Sequence, residues 1–223
     1  MYLSRLVLNL RSRQVRSELA DQYEMHRTVM QAFAGRLADS ERVLFRVDVQ
    51  PKSGIPTLLV QSLEMPDWSF LLHDGKNYLL TGDELPLDVE NPAVKAVELA
   101  LRPGQILAFR LRANPTKRLG KQAGEKHQQR VGLMREDEQL KWLQRKIEAA
   151  GGSLLSANAT DENRVSGRLF RDDQKHNLSF VSVQFDGLIQ VNDPDMLVKT
   201  IAAGMGSGKG LGFGLLSLAP ALG

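Results

Sequence analysis

RVSGRLFRDDQKHNLSFVSVQFDGLIQVNDPDMLVKTIAAG, residues 164–204, decides how this chain folds. Residues 164–185 read as a β-hairpin: two runs of β-formers flank a polar tip, DDQKHN. DPDMLVKTIAAG then reads as a helix opened by Asp193 or its proline neighbour. Working outward, SLLSANA (153–159) is a strand and REDEQLKWLQRKIEAAGG (135–152) is a helix with a glycine stop. QILAFRLRANP (105–115) is a strand, and LGFGLLSL (211–218) is the last one. The order is β-α-β-β-α-β, the split βαβ arrangement of a ferredoxin-like domain.

The first half begins the same way. YLSRLVLNL (2–10) alternates as a strand does. SRQVRSELADQYEMHRTVMQAFAGRL (12–37) reads as one helix, with Met25, Val29 and Phe33 as its buried stripe. Strand-like runs follow at RVLFRVDVQ (42–50) and PTLLVQSL (56–63), with a turn expected at Asp74-Gly75. A second helix is poorly marked. The expectation is an α+β protein of two tandem ferredoxin-like (RRM-like) βαββαβ domains, residues 1–95 and 104–223, with a linker near residues 90–104.

The 223 residues suffice for such a pair. Apolar content of 42% and charged content of 25% are those of a folded globular protein. The net charge is only +3, yet residues 102–130 hold eight Lys/Arg against the single acid Glu125, which suggests a polyanionic partner. With no cysteine, disulfides, thiolate metal sites and cysteine nucleophiles are excluded. No apolar run reaches a membrane span, and the N-terminus does not read as a signal peptide, so a cytoplasmic protein without membrane partners is expected.

Glycine occupies every second position from 204 to 214, six in all, with Lys209 among them. A Walker A loop fails here: Ala203 stands where its first glycine belongs, and Gly210 follows Lys209 where Ser or Thr is needed. The dinucleotide fingerprint fails too, and a helix precedes the glycines where both motifs need a strand. KGLGF (209–213) partly fits an RNA-recognition signature, but Leu211 replaces its first aromatic. Read as an extended strand, the segment leaves one face bare at Gly212 and Gly214 while Leu211, Phe213 and Leu215 pack on the other. Gly204, Gly206, Gly208, Lys209 and Gly210 are expected to offer backbone N–H groups and one cation to a phosphate chain.

The glycine segment running into GFGLLSLAP resembles the C-terminal motif of the CRISPR-associated CasE family, the precursor-crRNA endoribonucleases of type I-E Cascade. YLSRLVLN with DQYEMHRTVMQAF, PDWS (66–69), LAFRLRANPTKR (107–118) and GLIQVNDPDML (187–197) resemble that family in the same order. The resemblance implies paired ferredoxin-like domains and a nuclease that keeps its product and enters a Cascade complex. It implies a precursor CRISPR RNA repeat hairpin and other Cascade subunits as partners, a chain that is a monomer when alone, and no cofactor or metal.

Cleavage by a 2′-hydroxyl needs an aligned attack, one proton taken and one given, and stabilised phosphorane charge. Metal is not required. His26 is the natural proton carrier, with an ordinary pKa near 6.5. Tyr23, three residues earlier, shares its helix face. The resemblance places both on the family's catalytic pair within YEMHR. His26 acts as acid to the leaving 5′-oxygen or as base to the 2′-hydroxyl, and Tyr23 orients the hydroxyl or phosphate. Arg27 is adjacent and suited to the phosphorane charge. Gln31 and Ala34 stand where family members often carry another basic residue. His73 reads as turn chemistry, whereas His127 and His176 lie in polar loops suited to RNA contact. Asn114, Lys117 and Arg118 at a strand end, and Arg164, Arg168, Arg171 and Lys175 on the hairpin, are expected to bind RNA, the hairpin gripping the stem as in the family. The alternative is a subunit that binds an RNA hairpin without cutting it.

Overall fold

The computed structural model describes residues 1–35, 37, 41–72, 77–82, 85, 89–118, 130–171 and 174–221; within 161–171 and 174–179 only the backbone is described. The Asp74-Gly75 turn, His73, His127 and the hairpin tip at Asp172 and Asp173 lie outside these residues. The chain divides into two compact units. The first comprises Met1–Leu99, Ser166–Leu178 and Lys209–Gly212; the second comprises Ala100–Val165, Ser179–Gly208 and Phe213–Gly223.

In the first unit, β1 (Tyr2–Val7) leads into α1 (Arg13–Ala20) and α2 (Gln22–Gln31), then β2 (Leu44–Val49), β3 (Pro56–Ser62) and β4 (Ala93–Ala96). The sheet order is β2-β3-β1-β4, all pairs antiparallel. The single helix expected over 12–37 is two helices. Asp21 ends α1 in an extended conformation, and its carboxylate accepts the Tyr23 N–H as N-cap of α2. The Met25, Val29 and Phe33 stripe is fully buried against Phe45, Leu58 and Val60 of the sheet. Where the linker was expected, β4 completes the sheet. Just before it, Asn91 pairs with the backbone like a strand residue, its Oδ1 accepting from Val7 N (2.8 Å) and its Nδ2 donating to Val7 O (2.9 Å). Between β3 and β4 the described residues hold only a 3₁₀ turn, Ser69–Leu71, in place of a second helix.

The second unit runs β5 (Ile106–Ala113), β6 (Thr116–Arg118), β7 (Arg130–Gly132), α3 (Glu136–Glu148), β8 (Gly152–Arg171), β9 (Gln174–Val191), α4 (Pro194–Ala203) and β10 (Leu216–Pro220). Its main sheet, β10-β5-β9-β8, has the same order as the first. Each sheet thus sets the chain-order strands 4-1-3-2 side by side, which is the ferredoxin-like topology expected. The two strands read separately at 153–159 and from 164 onward are one continuous strand, β8. Asp193 caps α4 through Met196 N (2.9 Å) with Pro194 at its first turn.

The last strand is the largest local departure. It begins at Leu216, not Leu211. Gly212 and Gly214 have φ of 78° and 89°, which breaks the extended path and removes the alternation on which a bare face depended. Residues 209–211 form a 3₁₀ turn, and Gly212 and Gly214 are buried along with Phe213 and Leu215.

Candidate functional site

In the first unit, α2 and the turn Lys209–Leu211 come together. His26 is half-buried, its ring stacked on Phe45 with centroids 6.2 Å apart and planes at 18°. Nδ1 is buried and makes no hydrogen bond. Nε2 is the open nitrogen, on the side of Gly210: an ideal Cβ built on that glycine would stand 3.6 Å from it. Burial pushes the His26 pKa below 6.5, because desolvation disfavours the imidazolium. The ring is therefore neutral near pH 7 and approachable from one edge.

Tyr23 sits one turn earlier on α2 and is half-buried. Arg27 is exposed and pairs with Glu24 at 3.2 Å, a surface ion pair that a phosphate can displace at little cost. Lys209, in the 3₁₀ turn, is half-buried in the same unit. The helix beneath is held by a buried carboxylate. Glu18 of α1 accepts from Thr28 Oγ1 at 2.7 Å, Tyr78 Oη at 2.5 Å and Gln14 Nε2 at 2.8 Å, tying α1, α2 and the segment beside β1 into one network. Burial, and after it the same carboxylate, push the Tyr78 pKa far up, so its hydroxyl stays a donor.

In the second unit the glycine segment is a closed loop. Met205 N donates to Gly214 O (2.9 Å), Gly214 N to Arg112 O (2.8 Å), and Ser207 bridges to Asn114. Gly204 caps α4, so its N–H is spent on Thr200 O and Ile201 O and is not presented to a phosphate chain as expected. Gly208 packs against Phe213, where a Cβ would stand 2.9 Å from the ring. Asn114 is buried: its Nδ2 reaches Ser207 Oγ at 3.4 Å, a weak anchor for the loop, and its Oδ1 is unpartnered. Lys117 pairs with Glu138 at 2.8 Å. Arg118 and Gly206 line a depression of about 470 Å³ together with Arg130, Arg145 and Lys146. Arg164, Arg168 and Arg171 lie on β8 and Lys175 on β9, with His176 beside it, where only the backbone is described.

The expected residues therefore fall into two groups. Tyr23, His26, Arg27, Arg168, Arg171, Lys175, Lys209 and Gly210 share the first unit, and Asn114, Lys117, Arg118, Arg164, Gly204, Gly206 and Gly208 share the second. Sequence reasoning missed Phe45, whose ring orients the imidazole, and the Glu18 network, which has no linear signature. It also missed Arg130, Arg145 and Lys146. Those on α3 were readable as a stripe with Trp142 at i+3 and i+4.

The fold defines the class, an α+β protein of ferredoxin-like units, and on the first of them a half-buried neutral imidazole with one open edge lies a turn from a tyrosine and against the Lys209–Leu211 turn. The particular family follows from comparison with known proteins. The model of the CRISPR associated protein family matches residues 1–220. The chain is 38% identical to the CRISPR-associated endoribonuclease Cse3 of Thermus thermophilus, over 99% of this chain and 100% of that one. It is 32% identical to the CRISPR system Cascade subunit CasE of Escherichia coli, again over 99% and 100%. The solved structure of Thermus thermophilus Cse3 bound to an RNA representing a pre-cleavage complex superposes with a TM-score of 0.77 at 37% identity, covering 98% of each chain. The chain belongs to the CasE/Cse3 family of CRISPR-associated proteins. Among the described residues no helix is long and apolar enough to cross a membrane.

Proposed function

We propose that this protein is an endoribonuclease that cuts precursor CRISPR RNA at the base of the repeat hairpin and needs no metal to do so. The observation that carries the reading is His26, neutral and half-buried, with its open Nε2 against the Lys209–Leu211 turn. Its support outside the chain is end-to-end similarity to an endoribonuclease. The substrate's 2′-oxygen forms a bond to the adjacent phosphorus, and the bond from phosphorus to the 5′-oxygen breaks. His26 either takes the 2′-hydroxyl proton or gives one to the departing 5′-oxygen, and Tyr23 orients the reacting groups. Arg27 and Lys209 offset the charge on the phosphorane. The products are a 2′,3′-cyclic phosphate (or the 3′-phosphate) and a 5′-hydroxyl.

In this reading residues 1–95 carry the catalytic helix, and 104–223 carry the basic hairpin and glycine segment that hold the RNA. The protein works in the cytoplasm and keeps the processed RNA, and it joins other Cascade subunits, the relative CasE being by its name a Cascade subunit. The test is incubation of a repeat-hairpin RNA in EDTA with wild type and His26→Ala. Wild type is expected to cut and the variant to bind without cutting. Equal, negligible cleavage by both would leave an RNA-binding subunit without turnover. Dependence on added magnesium would contradict the mechanism.

A further inference from the structure

We propose that Gln22 is a positioning residue of the reaction: its amide oxygen, Oε1, receives the Nδ1–H of His26 and thereby fixes what Nε2 offers the substrate. The proposal rests on the nuclease reading above and names a residue to which that reading gives no part.

Among the described residues three buried side-chain atoms make no hydrogen bond. Asn114 Oδ1 belongs to the second unit, but the other two, Nδ1 of His26 and Oε1 of Gln22, lie on α2 one turn apart. Residues at i and i+4 are neighbours on a helix surface. Helical side chains lean toward the N-terminus, which carries the imidazole of residue 26 back over the turn that starts at Gln22. Gln22 is 6% exposed, so its amide has no outlet to solvent. Its Nε2 is tethered to Leu19 O at 3.4 Å, a long bond that a small swing of the amide gives up.

The two atoms are chemically complementary. An amide oxygen only accepts, and an imidazole nitrogen donates once it carries hydrogen. Buried polar atoms without a partner are rare enough to call for a reason. Here the reason lies in the forms of His26 that the reaction uses. As a base the ring must be neutral with its lone pair on Nε2, which puts its hydrogen on Nδ1. As an acid it must be the imidazolium, with hydrogen on both nitrogens. In either role Nδ1 carries hydrogen at a place closed to solvent, and Oε1 accepts it. That hydrogen stays on Nδ1 throughout, and the proton exchanged with the RNA is the one at Nε2. Gln22 thus selects the tautomer without moving a proton itself.

The carboxylates on the elements packed round the ring are committed elsewhere. Glu18 of α1 holds Gln14, Thr28 and Tyr78, Asp48 of β2 holds Arg46, and Glu24 of α2 holds Arg27. Beyond those, α1 brings Arg13 and Arg16, the turn brings Lys209, and α2 itself brings Tyr23; none bonds Nδ1. Phe45, stacked on the ring face, offers no acceptor.

The experiment compares wild type, Gln22→Met, which keeps the length and loses the acceptor, and Gln22→Glu, which keeps an acceptor and adds charge. Thermal melts, affinity for a repeat-hairpin RNA carrying a 2′-deoxy sugar at the cleavage site, and single-turnover cleavage at saturating protein over a pH series are measured. His26 is titrated by NMR without RNA. Gln22→Met is expected to melt and bind RNA as wild type does. It should cut roughly tenfold more slowly, a part of the 10²–10⁴-fold or so that the whole transfer is worth. Its His26 should titrate lower than in wild type, because the imidazolium has lost its acceptor. In Gln22→Glu that titration should move above wild type, and the highest rate across the series should recover most of the loss. A wild-type rate and titration in Gln22→Met would overturn the proposal. So would a slower Gln22→Met whose His26 titration is unmoved, since that is a structural effect alone, or a Gln22→Glu that titrates as Gln22→Met does. A wild type that binds RNA without cutting it would overturn the nuclease reading instead. The titrations would then still decide the contact: opposite shifts in the two variants uphold it, and no shift overturns it.

Discussion

Gly210→Ala isolates the open edge of His26. The added methyl would stand 3.6 Å from Nε2, 3.7 Å from Cε1 and 3.8 Å from Cδ2, all ordinary van der Waals separations. Gly210 is also not in the left-handed region that the neighbouring glycines occupy. The fold should therefore accept the change, with stability moving by no more than about 1 kcal/mol and the melting temperature by roughly 2–4 °C. The reaction should not accept it. An oxygen exchanging a proton with Nε2 must come within about 2.6–3.2 Å, and the methyl covers that approach from one side. With Nδ1 buried and unpartnered, no second nitrogen takes over. Removing the transfer altogether costs on the order of 10²–10⁴-fold. Partial obstruction is expected to slow single-turnover cleavage roughly 10- to 100-fold, about 1.4–2.7 kcal/mol of barrier, with RNA affinity nearly unchanged. Cleavage at the wild-type rate by a folded Gly210→Ala would refute the assignment of that edge to the reacting atoms.

The His26 pKa lies below its ordinary value, so the inflection it gives the cleavage rate of free enzyme should fall below pH 6.5, read from kcat/KM against pH and absent in His26→Gln. The same depression fixes a stability sign: above 6.5 the ring is neutral folded or unfolded, and below it the unfolded chain binds the proton first. Stability should fall as pH drops from about 6.5 through the folded pKa, by less in His26→Gln, as thermal melts would show. Glu18→Ala strands the Thr28 and Tyr78 hydroxyls in the core, at about 1–3 kcal/mol each, on top of the lost packing. A melting temperature lower by roughly 6–20 °C is expected, and a drop under 2 °C would show that the network is not what holds α2. Tyr78→Phe leaves a single group short of its partner, the buried Glu18 Oε2, and should cost about 1–3 kcal/mol, less than Glu18→Ala.

The second unit was legible because each element carries its own periodicity and the Asp193-Pro194 and Gly151 boundaries are local signals. The break at Asp21 was written in the sequence as well. Asp21 and Glu24 stand three apart in the manner of a capping box, but the apolar stripe of Met25, Val29 and Phe33 reads as a longer helix. The edge strand β4 escaped because four residues ending in Lys95 and Ala96 carry little pattern, and Asn91 rather than an apolar residue stitches its approach to the sheet. The glycine segment misled through its regular spacing. Alternation marks a strand only when φ stays negative, and glycine is the residue that most readily leaves that open. Tyr23 and His26 were identified by motif. The basic depression was not, because counting charge along 136–150 averages the acids of the first turn of α3 with the cations of its last, which the fold points to different places.

Residues 209–212, grouped with the unit that holds His26, follow every other segment of that unit along the chain. A nascent chain halted after residue 165 can already pair β1 through β4 and bury the Met25 stripe, yet its imidazole has no turn beside it. On the ribosome, then, the first sheet can form early while its cleft stays incomplete. A chain cut short of residue 209 would keep the strands of the first sheet and lack the turn that faces the imidazole.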